Sequence, residues 1–184
     1  MSLETSPRTY RFVLADILTS GYRVAGKIAV TSHGAMGFVN DPIHSIIEIH
    51  DARMARLHMP TKLIDHFEIL RTTKKQVHAI CLARREDLGP QGIVRGGFTQ
   101  VTEYQVRVTT SMFEVDGTME LPGRFDFNSL VSEGTRAFIP ILNGTLSAIL
   151  IPSLRVQTAG ILVNRSLIDL VAVLTQRVKP EIQP

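Results

Sequence analysis

Residues 104–121 read Tyr104-Gln105-Val106-Arg107-Val108-Thr109-Thr110-Ser111-Met112-Phe113-Glu114-Val115-Asp116-Gly117-Thr118-Met119-Glu120-Leu121. The first twelve are rich in β-branched and aromatic side chains, which fit a pleated, half-buried surface. Asp116-Gly117 is a two-residue hairpin signal, because a type I′ turn needs positive φ at both centres. The chain is expected to return through residues 118–121 and to stop at Pro122-Gly123.

Working outward, residues 125–133 carry apolar spacing that suits a short helix, with Phe127, Leu130 and Val131 on one face. Phe138-Ile139-Pro140-Ile141-Leu142 and Thr145-Leu146-Ser147-Ala148-Ile149-Leu150 flank Asn143-Gly144, a second hairpin signal. Strands follow at 155–163 and 167–174, joined by the tight turn Asn164-Arg165-Ser166.

The first half repeats the plan. A strand spans 22–30 and Ser32-His33-Gly34 turns the chain. Asp41-Pro42 is expected to open a short helix through His50, with proline at its favoured first-turn position. Strands at 53–59 and 63–70 surround Pro60-Thr61-Lys62, and another covers 76–83. Residues 9–18 read equally as a strand or as a helix packed across this unit.

The two halves therefore look like copies of one unit. An offset of 82 residues sets Tyr22-Arg23-Val24 over Tyr104-Gln105-Val106, residues 77–84 over 159–166, Ala55 over Ala137 and Asp87-Leu88 over Asp169-Leu170. One residue more sets Gly34 and Met36 over Gly117 and Met119. Between the halves, residues 88–98 hold four glycines and a proline, the composition of a linker or crossover. The expected units are 1–88, a glycine-rich linker at 89–101, and 102–184. Five or six short strands plus a helix in about 70 residues form a sheet that must curl to hide its edges. The expected fold class is all-β with short helices: two tandem small β-barrels related by internal duplication.

Composition narrows the function classes. The chain has 184 residues, 44% hydrophobic and 20% charged, which excludes disorder. A net charge of +3 permits a nucleic-acid partner without requiring one. The single cysteine, Cys81, lies in an apolar run and reads as a small buried hydrophobe. It leaves no internal disulfide or multi-cysteine zinc site, and fits a cytoplasmic location. No apolar stretch approaches the roughly 20 residues that cross a bilayer, and residues 1–7 lack the layout of a signal peptide.

Three stretches carry a resemblance: Gly123-Arg124-Phe125-Asp126-Phe127-Asn128-Ser129-Leu130, Phe138-Ile139-Pro140-Ile141, and Ile161-Leu162-Val163-Asn164-Arg165-Ser166-Leu167-Ile168. Together they resemble a short β-rich bacterial domain family of unknown function, across 104–174 and more faintly 22–88. More remotely the chain is similar to Sm-like and SH3-like small barrels. The second Sm motif is an apolar strand, an Arg-Gly turn, and apolar residues three and six positions past the glycine. Ile168 and Val171 stand in those places, but Asn164-Arg165 replaces Arg-Gly and the first half has Ala83-Arg84. The resemblance implies RNA contact at Asp126, Asn128, Asn164 and Arg165, against the alternative of a solvated hairpin.

Other candidate chemistry is sparse. Arg71, Lys74, Lys75, Arg84 and Arg85 fall near loops of the first half, where phosphate contact is conceivable. All six histidines lie in that half: His33, His44, His50, His58, His66 and His78. His44 and Glu48 would share a face of the expected helix, and His58 and His66 flank one turn. No HExxH, GxSxG, P-loop or GxGxxG appears, and no metal or other cofactor is indicated. The expected function is a non-catalytic, homo-oligomerising binding module with RNA or another protein as partner. A small metal-dependent hydrolase using the first-half histidines, and a bare structural scaffold, are the alternatives.

Overall fold

The computed structural model describes residues 9–90, 101–132 and 134–178. Its strands are β1 (Arg11–Thr19), β2 (Tyr22–Val30), β3 (Ile46–Arg56), β4 (Leu63–Thr73) and β5 (Val77–Leu82), then β6 (Val101–Thr110), β7 (Phe113–Pro122), β8 (Phe138–Ala148), β9 (Ile151–Asn164) and β10 (Ile168–Val178). One helix, α1 (Gly34–Asn40), separates β2 from β3, and a short helical turn, Asn128–Ser132, separates β7 from β8. Single 3-10 turns, Lys74–Gln76 and Arg165–Leu167, lead into β5 and β10.

All ten strands form one antiparallel sheet in the order β10-β6-β7-β8-β9-β5-β1-β2-β3-β4. The expectation of two closed barrels is corrected here. β5 and β9 pair with each other, Ala79 opposite Val163 and Leu82 opposite Gly160, so the halves share one open sheet. Residues 91–100 of the expected linker lie outside the described residues.

The β5·β9 joint dictates how the core divides. Side chains alternate across a strand. Ile80, Leu82 and Leu162 point into a core with Val13, Ile17, Ile28, Ile47, Ile49 and the α1 residues Ala35, Met36 and Val39. Ala79, Cys81, Ile161 and Val163 point the other way, into a core with Val106, Phe113, Val115, Ile141 and Leu146. All six residues of β5 are buried. That explains its unbroken apolar run: both of its faces are interior. Each fully buried side chain such as Ile80 contributes about 1.5–3 kcal/mol.

Both expected hairpin signals lie inside strands. The β6–β7 turn is Ser111-Met112 instead, where Thr110 Oγ1 accepts the backbone N–H of Met112 (3.3 Å) and Phe113 (3.1 Å). The β8–β9 turn is Ile149-Leu150. Asp116-Gly117 and Asn143-Gly144 face each other across a register shift in β7·β8. There Asn143 takes φ 47°, as Asx residues tolerate. Gly117 is required by close packing, since a Cβ would meet Ile141 Cγ2 at 2.5 Å and Leu142 O at 2.9 Å. A local Asx-Gly preference for positive φ thus serves a bulge rather than a turn.

The helix expected at 41–50 is also corrected. Asp41 Oδ1 accepts the N–H of Ile43 (2.9 Å), an Asx turn that ends the preceding helix α1. The β-branched run Ile46-Ile47 and Ile49 then enters β3, with Ile47 and Ile49 fully buried. His44 and Glu48 share no helical face. α1 starts at Gly34, whose φ of +67° and close approach to Gly89 (a Cβ would lie 2.5 Å from Gly89 Cα) exclude other residues. The ambiguous segment at 9–18 is strand β1.

The offset of 82 does not align like with like. Tyr22 opens β2 half-exposed, whereas Tyr104 is buried in β6, its hydroxyl donating to Gly123 O and accepting from Phe125 N, both at 2.9 Å. Matching register occurs 91 residues apart. Ala15 faces Gly26 as Val106 faces Gly117, and Ile17 faces Val24 as Val108 faces Val115.

Candidate functional site

The residues singled out by sequence are placed by strand ends, and most serve the fold. Lys74 begins the turn into β5. Its Nζ donates to the carbonyls of Phe38 (3.1 Å), in the last turn of α1, and of Asp41 (2.7 Å), which caps it. Burial pulls its pKa below the usual lysine value. Lys75 beside it is exposed.

Asn164, the last residue of β9, is buried and its amide is fully used. Nδ2 donates to Lys74 O (3.1 Å) and Val77 O (2.9 Å), while Oδ1 accepts from the backbone N–H (3.1 Å) and hydroxyl (2.8 Å) of Ser166. It locks the second-half turn onto the first-half turn. Arg84 lies on Asp87 at 3.2 Å and on Glu86 at 3.4 Å. Arg85 crosses to the second half, where one Nη2 donates to both carboxylate oxygens of Glu120 (2.9 and 2.8 Å). The Glu120 side chain is only 3% exposed, so this pair seals the seam. Asp126 accepts from Asn128 N (3.0 Å) and from Ser129 Oγ (2.6 Å), which hold its carboxyl below the usual carboxylate range. The Asn128 side chain is exposed.

Arg165 is the exception. It lines a cavity of about 250 Å³ with Met119, Leu121, Leu130, Arg136 and Ile139. Its Nη1 is buried without a hydrogen-bond partner among the described residues, beside Gly134, where a Cβ would lie 2.6 Å away. Ser129, one of two hydroxyl residues lining this cavity with Thr135, donates its Oγ hydrogen to Asp126. A second cavity of about 730 Å³, lined by Tyr10, Thr31, His33, Phe38, Asp41 and His44, lies beside α1.

The histidines are dispersed. His44 lies on Asp41 (2.8 Å), His66 on Asp51 (2.7 Å) and His50 on Glu48 (3.2 Å). His78 is buried with Nδ1 at 3.2 Å from Thr110 Oγ1, and its ring meets the Phe113 ring edge-on at 5.5 Å. Among the described residues no three His, Cys, Asp or Glu side chains are grouped to hold a metal ion.

Exposed strand edges are the assembly contact that the sequence leads one to expect; which strands form them is decided by the structure. β4 and β10 end the sheet, each with one side unpaired among the described strands. Both carry exposed apolar side chains: Leu63, Ile64 and Ile69 on β4, and Leu170, Val173 and Leu174 on β10. Long apolar edges are templates for a further strand. The readable signal was the apolar character of 167–174, which the Sm-like resemblance treated as a motif frame. No helix among the described residues is long and apolar enough to cross a membrane. Searches of protein-family models, curated proteins and solved structures find no match to this chain.

Proposed function

We propose that this chain is a non-catalytic cytoplasmic module that binds copies of itself through the free edges of its sheet. The observation that carries the reading is the pair of unpaired terminal strands, β4 and β10, bearing Ile69 at 41% and Leu170 at 66% exposure.

The reading includes a duplicated five-strand unit. Its support is the shared strand order, β5-β1-β2-β3-β4 and β10-β6-β7-β8-β9. Matching details add to it. Thr19 caps the β1–β2 turn by accepting from Tyr22 N (3.0 Å), as Thr110 does for Phe113. Asp51 and Asn143 both take positive φ beside equivalent register shifts, opposite Gly26 and Gly117.

Protein is favoured over RNA as partner because Lys74, Arg84, Arg85 and Asn164 already bond within the chain. Light scattering tests the reading. The expected mass is a multiple of 20.4 kDa. A strict monomer at all concentrations overturns it. RNA binding that weakens steeply with salt, without self-association, would favour the other partner class.

A further inference from the structure

We propose that the self-contact is head-to-tail: β4 of one copy pairs antiparallel with β10 of the next, in the register that β9 and β5 use inside the chain. The inference rests on the self-association reading and adds the edges, the register and the polarity.

The internal joint pairs Val163 with Ala79, Leu162 with Ile80, Ile161 with Cys81 and Gly160 with Leu82. Each side of that joint has a counterpart at a free edge. β4 lies on β3 as β9 lies on β8: Ile47 faces Thr72 and Ile49 faces Leu70, as Ile139 faces Val163 and Ile141 faces Ile161. β10 lies on β6 as β5 lies on β1: Val108 faces Val171 and Val106 faces Val173, as Ile17 faces Ile80 and Ala15 faces Leu82. Even the register slips coincide, between Leu18 and Thr19 in β1·β5 and between Ile168 and Leu170 in β10·β6. The free edges are therefore the two halves of a contact that the chain already makes once.

Carrying the register across opposes Thr72 to Leu170, Arg71 to Val171, Leu70 to Ala172 and Ile69 to Val173. The apolar side chains suit it, while Arg71, ion-paired with Glu48, stands where the internal joint has Leu162. Ile69 and Val173 are 41% and 42% exposed, and Leu170 is 66% exposed. Leu70 already packs against the edge of the first core and Val171 against the edge of the second. Pairing would run those cores across the boundary, as Ile80 and Ile161 do at the internal joint. Gly160 leaves room for Leu88, whose Cδ1 is 3.1 Å from the Cβ position; Ile69 would fill that space itself. Each copy offers two unlike edges, so the contact is heterologous and propagates into a ring or an open filament.

The test uses two single-edge variants of the full chain, Ile69→Lys and Val173→Lys, each checked for native circular dichroism and unfolding. A lysine on an edge blocks strand addition. Each variant alone should be monomeric. An equimolar mixture should give a dimer of twice the monomer mass and nothing larger, because one intact β4 meets one intact β10. A variant that still dimerises alone, or a mixture that stays monomeric, overturns head-to-tail pairing. Wild type that is itself monomeric sinks the self-association reading instead. Should a lysine variant not fold, Ile69→Cys and Val173→Cys chains replace them: the mixture should form an interchain disulfide under mild oxidation. Cross-linking of either cysteine variant with itself, rather than with the other, overturns the proposal.

Discussion

The side-chain amide of Asn40 holds both backbone polar atoms of Phe138, accepting from its N–H at 2.8 Å and donating to its carbonyl at 3.2 Å. Asn40 ends α1 in the first half, and Phe138, fully buried, opens β8 in the second. The amide thus stands in for a strand partner at the place where β8 begins. Asn40→Ala would leave that pair of backbone groups without it. An unmet buried hydrogen bond costs about 1–3 kcal/mol. The urea midpoint should fall accordingly with the slope unchanged. An unaltered midpoint would show that Asn40 carries no weight in joining the halves.

The twin glycines give a paired prediction. A Cβ at Gly26 meets Ile49 Cγ2 at 2.5 Å and His50 O at 2.9 Å, nearly the contacts found at Gly117. Gly26→Ala and Gly117→Ala should each lower stability by about 1–3 kcal/mol through overpacking. Gly21→Ala is the control, since nothing lies within 4 Å of its Cβ position. Thermal unfolding of the three variants decides it. Equal stability of all three would remove close packing as the reason for the glycines.

Cys81 has its thiol buried between β1 and β9, and burial pushes its pKa up. The thiolate is the reactive form. The native protein should resist thiol reagents at pH 8 and react with one equivalent on unfolding in guanidinium. Rapid labelling of the native state would show an exposed thiol.

His78 makes stability depend on pH. Burial lowers its pKa below the ordinary value of 6.5, against a smaller upward pull from Asp169. The unfolded state therefore takes up a proton first as pH falls. Its contribution is present above about pH 6.5 and is lost as pH drops through the lowered folded value. Wild type should lose urea resistance between pH 7.5 and 5.5, and His78→Gln should lose less over the same interval. Parallel losses in the two proteins would assign the acid sensitivity elsewhere.

Much of the fold was legible in local pattern. β2 falls where alternation placed it, at Tyr22–Val30, and the turn at Asn164-Arg165-Ser166 is a 3-10 turn capped by Asn164. The Asx-Gly signals were misread because φ > 0 is a property of the residue pair, whereas the choice between turn and bulge depends on which strand lies opposite. Asp41-Pro42 was misread likewise: an Asx turn ends one helix as readily as a proline begins another. The offset of 82 followed the two tyrosines and the runs 77–84 and 159–166, whereas strand register matches 91 residues apart, at small residues such as Gly26 and Gly117 whose identity matters only through packing.

The partners of the candidate basic residues were illegible for a different reason. Nothing in the order of residues shows that Arg85 finds Glu120 or that Asn164 finds Lys74 and Val77. These partners are brought together only when the halves dock.

Alternation, turn chemistry and composition were enough on their own to establish a strand-rich chain with few and short helices. The open rather than closed sheet, the pairing of β5 with β9, the opposed cores and the two edges belong to the tertiary structure. Strand preference is set within a few neighbouring residues. Which edge pairs with which is set by side chains about 80 residues apart, competing to bury both faces of the same two strands.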